Sequence, residues 1–217
     1  MSEARRTTRF LVVLDVDSTL IEDEVIELIA DRAGTRELVA SVTERAMRGE
    51  LDFAESLRER VATLRGVTVS ALAEVRADVR VTAGVPELIA GVHAAGGAIA
   101  AVSGGFHEVL DPLAEQLGLD RARANRLEVR DDALTGLVSG QIIDAQAKAL
   151  ALQEWADELG VPMSRTVAIG DGANDLLMME AAALSIAFDA KPVVRERADV
   201  SLVQRDLAAV LAVLGLR

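Results

Sequence analysis

The run Phe10-Leu11-Val12-Val13-Leu14 is apolar at every position and closes on Asp15-Val16-Asp17. A strand with one wet face alternates apolar and polar residues; one that does not alternate has both faces covered, as in a parallel sheet sandwiched by helices. The same pattern returns along the chain. Ala98 to Val102 ends on Ser103-Gly104-Gly105, Thr166 to Ile169 ends on Gly170-Asp171-Gly172, and Leu184 to Ala187 is a fourth candidate. Each short strand meets a polar or glycine-rich turn and then a helical pattern, as βα units do. The expected fold is therefore α/β, with a Rossmann-like doubly wound parallel sheet as its core. Ligands of such sheets sit beyond the carboxyl ends of the strands, so the three turns are expected to converge on one site.

A βα connection usually takes about two to six residues, yet the excursion from Glu22 to about Thr82, before the return at Gly84-Val85-Pro86, takes roughly sixty. Within that stretch Phe53, Leu57, Val61 and Leu64 recur at helical spacing. The expectation is a mainly helical cap subdomain over 22–82, inserted into a core formed by 1–21 and 83–217. Farther on, Leu127 to Val138 reads as a hairpin turning at Asp131-Asp132, and Ala145 to Glu158 as an amphipathic helix.

Composition narrows the function classes. The chain of 217 residues has 23 Lys and Arg against 35 Asp and Glu, a net charge of −12, and four Phe, one Trp and no Tyr. Neither a phosphate-tracking basic surface nor aromatic base-stacking platforms are available, so no nucleic-acid partner is expected. The absence of cysteine excludes disulfides, thiolate zinc sites and a cysteine nucleophile. No apolar run approaches the roughly 18 residues of a membrane span. Arg5-Arg6 precedes only the short apolar run that stops at Asp15, so Ala4 to Arg9 reads as a lead-in to the strand rather than an export signal. A cytoplasmic location is expected, and a homodimer stays open.

Asp15 and Asp17 stand two residues apart where the first strand leaves the sheet, and strand periodicity would point both the same way. Such a pair can divide nucleophilic and proton-transfer work, hold a hard cation, or merely cap the next helix. A second acidic turn, Gly170-Asp171-Gly172-Ala173-Asn174-Asp175, shifts the balance toward a Mg²⁺ site. Ser103-Gly104-Gly105 offers a hydroxyl and backbone N–H groups to an anion, although a plain glycine-rich turn would look alike. Lys148 is the only Lys before Lys191 in a chain that otherwise uses Arg. An isolated Lys is usually a solvated helix residue, but this choice suits a compact charge on a phosphate.

In order and spacing, Asp15-Val16-Asp17-Ser18-Thr19-Leu20, Ser103-Gly104-Gly105-Phe106, Lys148 and Gly170 to Asp175 resemble the four signatures of the haloacid-dehalogenase-like phosphatases. The resemblance is closest to their phosphoserine phosphatase branch. It extends through Glu24, Ala46-Met47-Arg48-Gly49, Phe53, Ser56 to Arg60 and Ala124-Asn125-Arg126-Leu127, and covers about Phe10 to Asp206. Val16 stands where an aromatic residue is common, and no amino-terminal regulatory domain precedes Asp15 in this sequence.

The resemblance implies hydrolysis of O-phospho-L-serine to L-serine, the last step of serine biosynthesis, with Asp15 as nucleophile and Asp17 as general acid and base. It implies Mg²⁺ on Asp15, the Asp17 main chain and Asp171, with Asp175 supporting through water. Ser103, Gly104, Lys148 and Asn174 would hold the phosphoryl group. Glu24 would take the substrate ammonium, Arg60 its carboxylate, and Met47 and Phe53 would cover the site. Two alternatives compete: a phosphatase or phosphotransferase acting on another small ester such as phosphohomoserine, and an Asp-phosphorylated receiver module. His93 and His107 match no motif and are expected on helix surfaces; Glu22 and Asp23 carry no assignment.

Overall fold

The computed structural model describes residues 8–48 and 50–216. Residues 4–7 of the expected lead-in, Gly49 and the side chain of Met47 lie outside the described residues.

Seven strands form one sheet: β1 (Leu11–Leu14), β2 (Ala98–Phe106), β3 (Arg121–Arg130), β4 (Ala133–Ser139), β5 (Thr166–Gly170), β6 (Leu184–Phe188) and β7 (Val200–Leu202). Their order is β4-β3-β2-β1-β5-β6-β7. All neighbours are parallel except β3 and β4, so the sheet is mixed, with an antiparallel strand at one edge. Without β4 the order is that of a doubly wound dinucleotide-type fold, and its reversal point lies between β1 and β5.

The lack of alternation in β1 has the expected cause. Val12 and Leu14 join one apolar cluster with Ile99, Ala101, Val167 and Ile169, whereas Leu11 and Val13 join another with Ala98, Ala100, Val102 and Ala168. Each face of the sheet thus has its own core, and all four residues of β1 are fully buried. Burying a Val or Leu side chain is worth about 1.5–3 kcal/mol, so the sheet centre is the firmest platform on which to mount a site.

Ten α-helices lie among the described residues: α1 (Val25–Ala33), α2 (Arg36–Met47), α3 (Phe53–Ala62), α4 (Val69–Asp78), α5 (Val85–Ala94), α6 (His107–Leu117), α7 (Ala145–Leu159), α8 (Leu176–Ala181), α9 (Pro192–Arg195) and α10 (Ala209–Val213). Helices α1 to α4 fall within 22–82, and the two ends of the stretch meet: Ile21 and Val81 form an antiparallel bridge. Leu57, Val61, Leu64 and Leu72 from this stretch belong to the same cluster as Val12 and Leu14. On the other face α7 contributes Ala151, Leu152 and Trp155. No helix of the described residues is long and apolar enough to cross a membrane.

Several expectations need correction. The strand expected over Ala98 to Val102 continues to Phe106, and its pairing with β3 shifts register between Val102 and Phe106. Ser103-Gly104-Gly105 therefore lies in an irregular strand end, and α6 begins only at His107. The hairpin turns at Asp131 and Asp132, both with positive φ, but its first strand starts at Arg121, where it pairs in parallel with β2. Strand β7 carried no clear signal, because three residues are too few to show a period. His107 is not a surface histidine: its side chain is 17% exposed, its Nδ1 meets Asp111 Oδ1 at 2.5 Å, and its Nε2 accepts from the Ala124 N–H at 3.1 Å. It ties α6 to β3.

Candidate active site

The three turns converge. Asp15, Asp17, Glu24, Phe53, Arg60, Gly104, Gly105, Asp171, Gly172, Asn174 and Lys191 line one cavity of about 140 Å³ at the carboxyl ends of the parallel strands. The alternation of β1 does not reach beyond Leu14, so periodicity is not what brings Asp15 and Asp17 together. The chain turns sharply over Val16 to Leu20, with Ser18 in the left-handed region at φ 60°. Ser18 has its Oγ bonded to Glu24 Oε1 at 2.8 Å. Asp15 makes no side-chain cap to the residues that follow, so the capping reading fails for Asp15.

Lys148 is a buried counter-ion rather than a solvated helix residue. Asp144 caps α7 by accepting from the Ala147 N–H at 2.9 Å, which places Lys148 in the first turn. Its Nζ donates to Asp15 Oδ1 at 2.5 Å and to Asp175 Oδ1 at 2.7 Å, with 1% of its side chain exposed. Burial disfavours the charged ammonium, yet Asp15 and Asp175 outweigh it and hold the Lys148 pKa above the usual lysine value. Burial, together with the Asp175 charge, pushes the Asp15 carboxyl up to about 7. Asp171 is pushed up to about 6 by burial and by Asp175.

One carboxylate oxygen from each of Asp15, Asp171 and Asp175 falls within a 4.8 Å cluster. Three acidic groups around a single ammonium leave negative charge uncompensated, and hard oxygen donors at this spacing suit a hard divalent cation. Asp175 is also held by the Gly172 N–H, which donates to its Oδ2 at 3.0 Å.

Asp17 differs from its neighbour. Its Oδ2 accepts from the Val25 N–H at 3.3 Å, while its buried Oδ1 has no hydrogen-bond partner. Burial, with Glu24 and Asp15 adding like charge, raises its pKa well above the usual range. A carboxyl with a raised pKa that lines the cavity is placed to donate a proton.

Ser103 is buried, and its Oγ accepts from the Gly105 N–H at 2.7 Å. A Cβ on Gly105 would stand 2.9 Å from that Oγ and 3.4 Å from Asp17 Oδ1, and one on Gly104 would stand 3.1 Å from the Phe53 ring, so a side chain at either position would press on the Ser103 hydroxyl or on Phe53. Phe53 opens α3, whose capping box pairs the Asp52 side chain with the Glu55 N–H and the Glu55 side chain with the Asp52 N–H. Arg60, half-buried one helix face along, donates from Nε to Ser56 O at 3.3 Å. Burial lowers its pKa while Glu24 and Asp17 oppose the shift.

Of the residues expected here, Ser103, Lys148 and Asp175 stand just behind the cavity wall rather than in it, and the Met47 side chain lies outside the described residues. Two further residues belong to the site. Lys191 lines the cavity, and its N–H donates to Asp171 O at 3.1 Å. Its scarcity as a Lys was the only signal in the sequence. Asn125 is fully buried; its Nδ2 donates to Gly104 O at 2.8 Å and its Oδ1 accepts from the Ile143 N–H at 2.8 Å. It joins the Ser103 strand end to the segment leading into α7. A polar residue amid charged neighbours on a strand gave no local hint of that bridge.

Comparison with known proteins agrees with this geometry. The haloacid dehalogenase-like hydrolase family matches residues 12–180. A phosphoserine phosphatase of Streptomyces coelicolor is 55% identical over 98% of this chain, which spans 52% of that protein's length. One from Streptococcus thermophilus is 48% identical over 94% of this chain and 95% of its own. A solved structure described as a phospho-aspartyl intermediate analogue of phosphoserine phosphatase superposes with a TM-score of 0.89 at 41% identity, covering 95% of this chain and 99% of that one. By fold, by the grouping of its acidic turns and by these likenesses, the chain belongs to the haloacid dehalogenase-like hydrolases, with the phosphoserine phosphatases.

Proposed function

We propose that the protein hydrolyses O-phospho-L-serine to L-serine and phosphate through an aspartyl-phosphate on Asp15, with Mg²⁺ as cofactor, as the last step of serine biosynthesis in the cytoplasm. The observation that carries this reading is the buried Asp15 carboxylate, held by Lys148 beside Asp171 and Asp175 and sharing its cavity with the orphaned acid Asp17. Residues 22–82 serve as the cap, bringing Glu24, Phe53 and Arg60 over the core.

Asp15 attacks phosphorus in line, and the bond to the seryl oxygen breaks. Asp17 delivers its proton to that oxygen, so serine leaves neutral at its hydroxyl. The Asp17 carboxylate then takes a proton from a water that attacks the same phosphorus, and Asp15 is released. One hard hydrolysis becomes two easier displacements. A divalent cation held by Asp15, the Asp17 main chain and Asp171, with Asp175 behind, would lower the repulsion between the dianionic ester and the anionic nucleophile. Lys148, the Ser103 hydroxyl, the Gly104 N–H and Asn174 match the charge of the phosphoryl oxygens. Glu24 takes the substrate ammonium and Arg60 its carboxylate, while Phe53 excludes water above Gly104.

Phosphate release with Mg²⁺ from O-phospho-L-serine, phosphothreonine, phosphohomoserine and a sugar phosphate tests the reading, with Asp15→Asn as the blank. The expected result is strong preference for phosphoserine. Preference for another ester would overturn the roles of Glu24 and Arg60, and a long-lived phospho-aspartate with no turnover would point to a signalling receiver.

The raised carboxyls also set a pH dependence. Asp15 moves from the usual 3.8 to about 7 and Asp171 to about 6, so the folded metal-free chain binds protons more firmly than the unfolded chain. Stability without metal is therefore expected to fall as pH rises from the free carboxyl value toward 7. Cation binding needs these groups ionised, so apparent Mg²⁺ affinity is expected to rise over the same interval. Thermal unfolding at pH 5.5 and 8, each with chelator and with Mg²⁺, reads both effects. A Mg²⁺-induced rise in Tm that is equal at the two pH values would contradict the assignment.

A further inference from the structure

The two strands of chain that join residues 22–82 to the sheet are locked by one carboxylate. Asp23 is followed directly by Glu24 and preceded by the Ile21–Val81 bridge, which the Glu22 N–H extends by donating to Arg80 O at 2.9 Å. The Thr82 N–H donates to Leu20 O at 3.0 Å on the other side. The Asp23 side chain is 9% exposed, and both its oxygens are engaged by a single residue. Its Oδ2 accepts from the Arg80 backbone N–H at 2.8 Å, and its Oδ1 accepts from Arg80 Nε at 3.1 Å and Nη2 at 2.6 Å. Arg80 Nη1 stands 3.2 Å from Glu22 Oε2. An exposed ion pair is ordinarily worth little, but here a nearly buried carboxylate is bound by a planar fork and a backbone donor at once, which defines its direction as well as its charge.

Asp23 in turn borders the cavity through its neighbours. Its carbonyl accepts from the Ser18 N–H at 3.4 Å, in the turn between Asp17 and Leu20. The next side chain, Glu24, takes the Ser18 Oγ hydrogen bond at 2.8 Å and lines the cavity. Glu24 is also the N-cap of α1, so the angle at which α1 leaves the sheet depends on the same residue. Among the described residues, Arg80 is what grips the Glu22–Glu24 segment from the returning chain, through its main chain and its side chain.

We infer that Arg80, acting through Asp23, is a positioning residue that fixes where Glu24 meets the substrate ammonium, and so a determinant of selectivity for an amino-acid phosphate. The inference rests on the proposed reading of Glu24. Arg80 touches neither the phosphoryl group nor the attacking carboxylate, so its loss falls on substrate affinity and leaves the chemical step alone. A Lys keeps the charge without the fork and restores only part of the effect.

The experiment measures KM and kcat for O-phospho-L-serine and the inhibition constant of inorganic phosphate, which has no ammonium, in the wild type, Arg80→Leu, Arg80→Lys, Glu24→Gln and the Glu24→Gln/Arg80→Leu double variant, all with Mg²⁺. Arg80→Leu is expected to raise KM about fivefold, with kcat and phosphate inhibition unchanged and Arg80→Lys in between, and to add nothing on top of Glu24→Gln. An equal weakening of phosphate inhibition, or additive effects in the double variant, would overturn the inference and leave Glu24's role standing. A Glu24→Gln variant with wild-type KM would overturn the reading of Glu24 itself, and this inference with it.

Discussion

Asp15→Asn is expected to abolish phosphate release, by about 10⁴-fold or more, while the protein keeps its fold. An amide has no charge with which to attack phosphorus, and the other carboxylate bonded to the Lys148 ammonium, Asp175, follows β5 and is also held by the Gly172 N–H. The substitution also removes a buried carboxyl whose pKa is pushed up to about 7 by burial and by Asp175. Above that pH the wild-type carboxylate is held against its desolvation, so the metal-free variant should be as stable as the wild type or more so. Acid-quenched phosphoenzyme, phosphate release and thermal unfolding are the measurements. Residual phosphoenzyme in the variant would sink the assignment of the nucleophile. A fall in Tm as large as the loss of activity would show that the substitution acts on the fold instead.

Lys148→Met is expected to cost both activity and stability. The ammonium is the only cation bonded to Asp15 and Asp175, and all three groups are buried. Removing one member of a buried ion pair leaves the rest uncompensated, at about 3–5 kcal/mol. The penalty can be relieved by protonating the remaining carboxyls, so it should be smaller at pH 5 than at pH 8. Turnover is expected to fall by about 10³-fold, because the ammonium that holds Asp15, and that is proposed to match the charge on the phosphoryl oxygens, is lost. Denaturant unfolding at the two pH values and steady-state kinetics check both halves. Near wild-type stability at pH 8 would mean that the cluster neutralises itself without Lys148, contrary to the geometry.

Most of the acidic cluster was legible in the sequence because its members sit in local patterns. Asp15 and Asp171 each end an apolar strand, and Asp175 shares a short glycine-rich turn with Asp171, so a window of a few residues identifies them. The amphipathic pattern from Ala145 to Glu158 announces α7 and thereby places Lys148 near its start. The same windows misjudged whatever depends on partners outside them. His107 looked like a surface residue because its binding partner Ala124 lies across on β3. Ser103 to Gly105 looked like a helix-opening turn because the register shift against β3 cannot be seen from β2 alone. Asp23 carried no assignment because its partner is Arg80, 57 positions along the chain.

By itself the sequence determined that the sheet would be buried on both faces, that acidic turns would stand at the carboxyl ends of its strands, and that a helical excursion would interrupt the first crossover. Hydrophobic period and turn chemistry act over a few residues, and those features need no more. Only the tertiary structure decided which turns would meet. The order β2-β1-β5 puts Asp15 between the Ser103 strand end and the Asp171 turn, and it brings Lys148 to Asp15 across 133 residues of chain. That single arrangement gathers separate carboxyls and raises the pKa values of Asp15 and Asp171, because desolvation and mutual repulsion exist only once distant charges share one buried space.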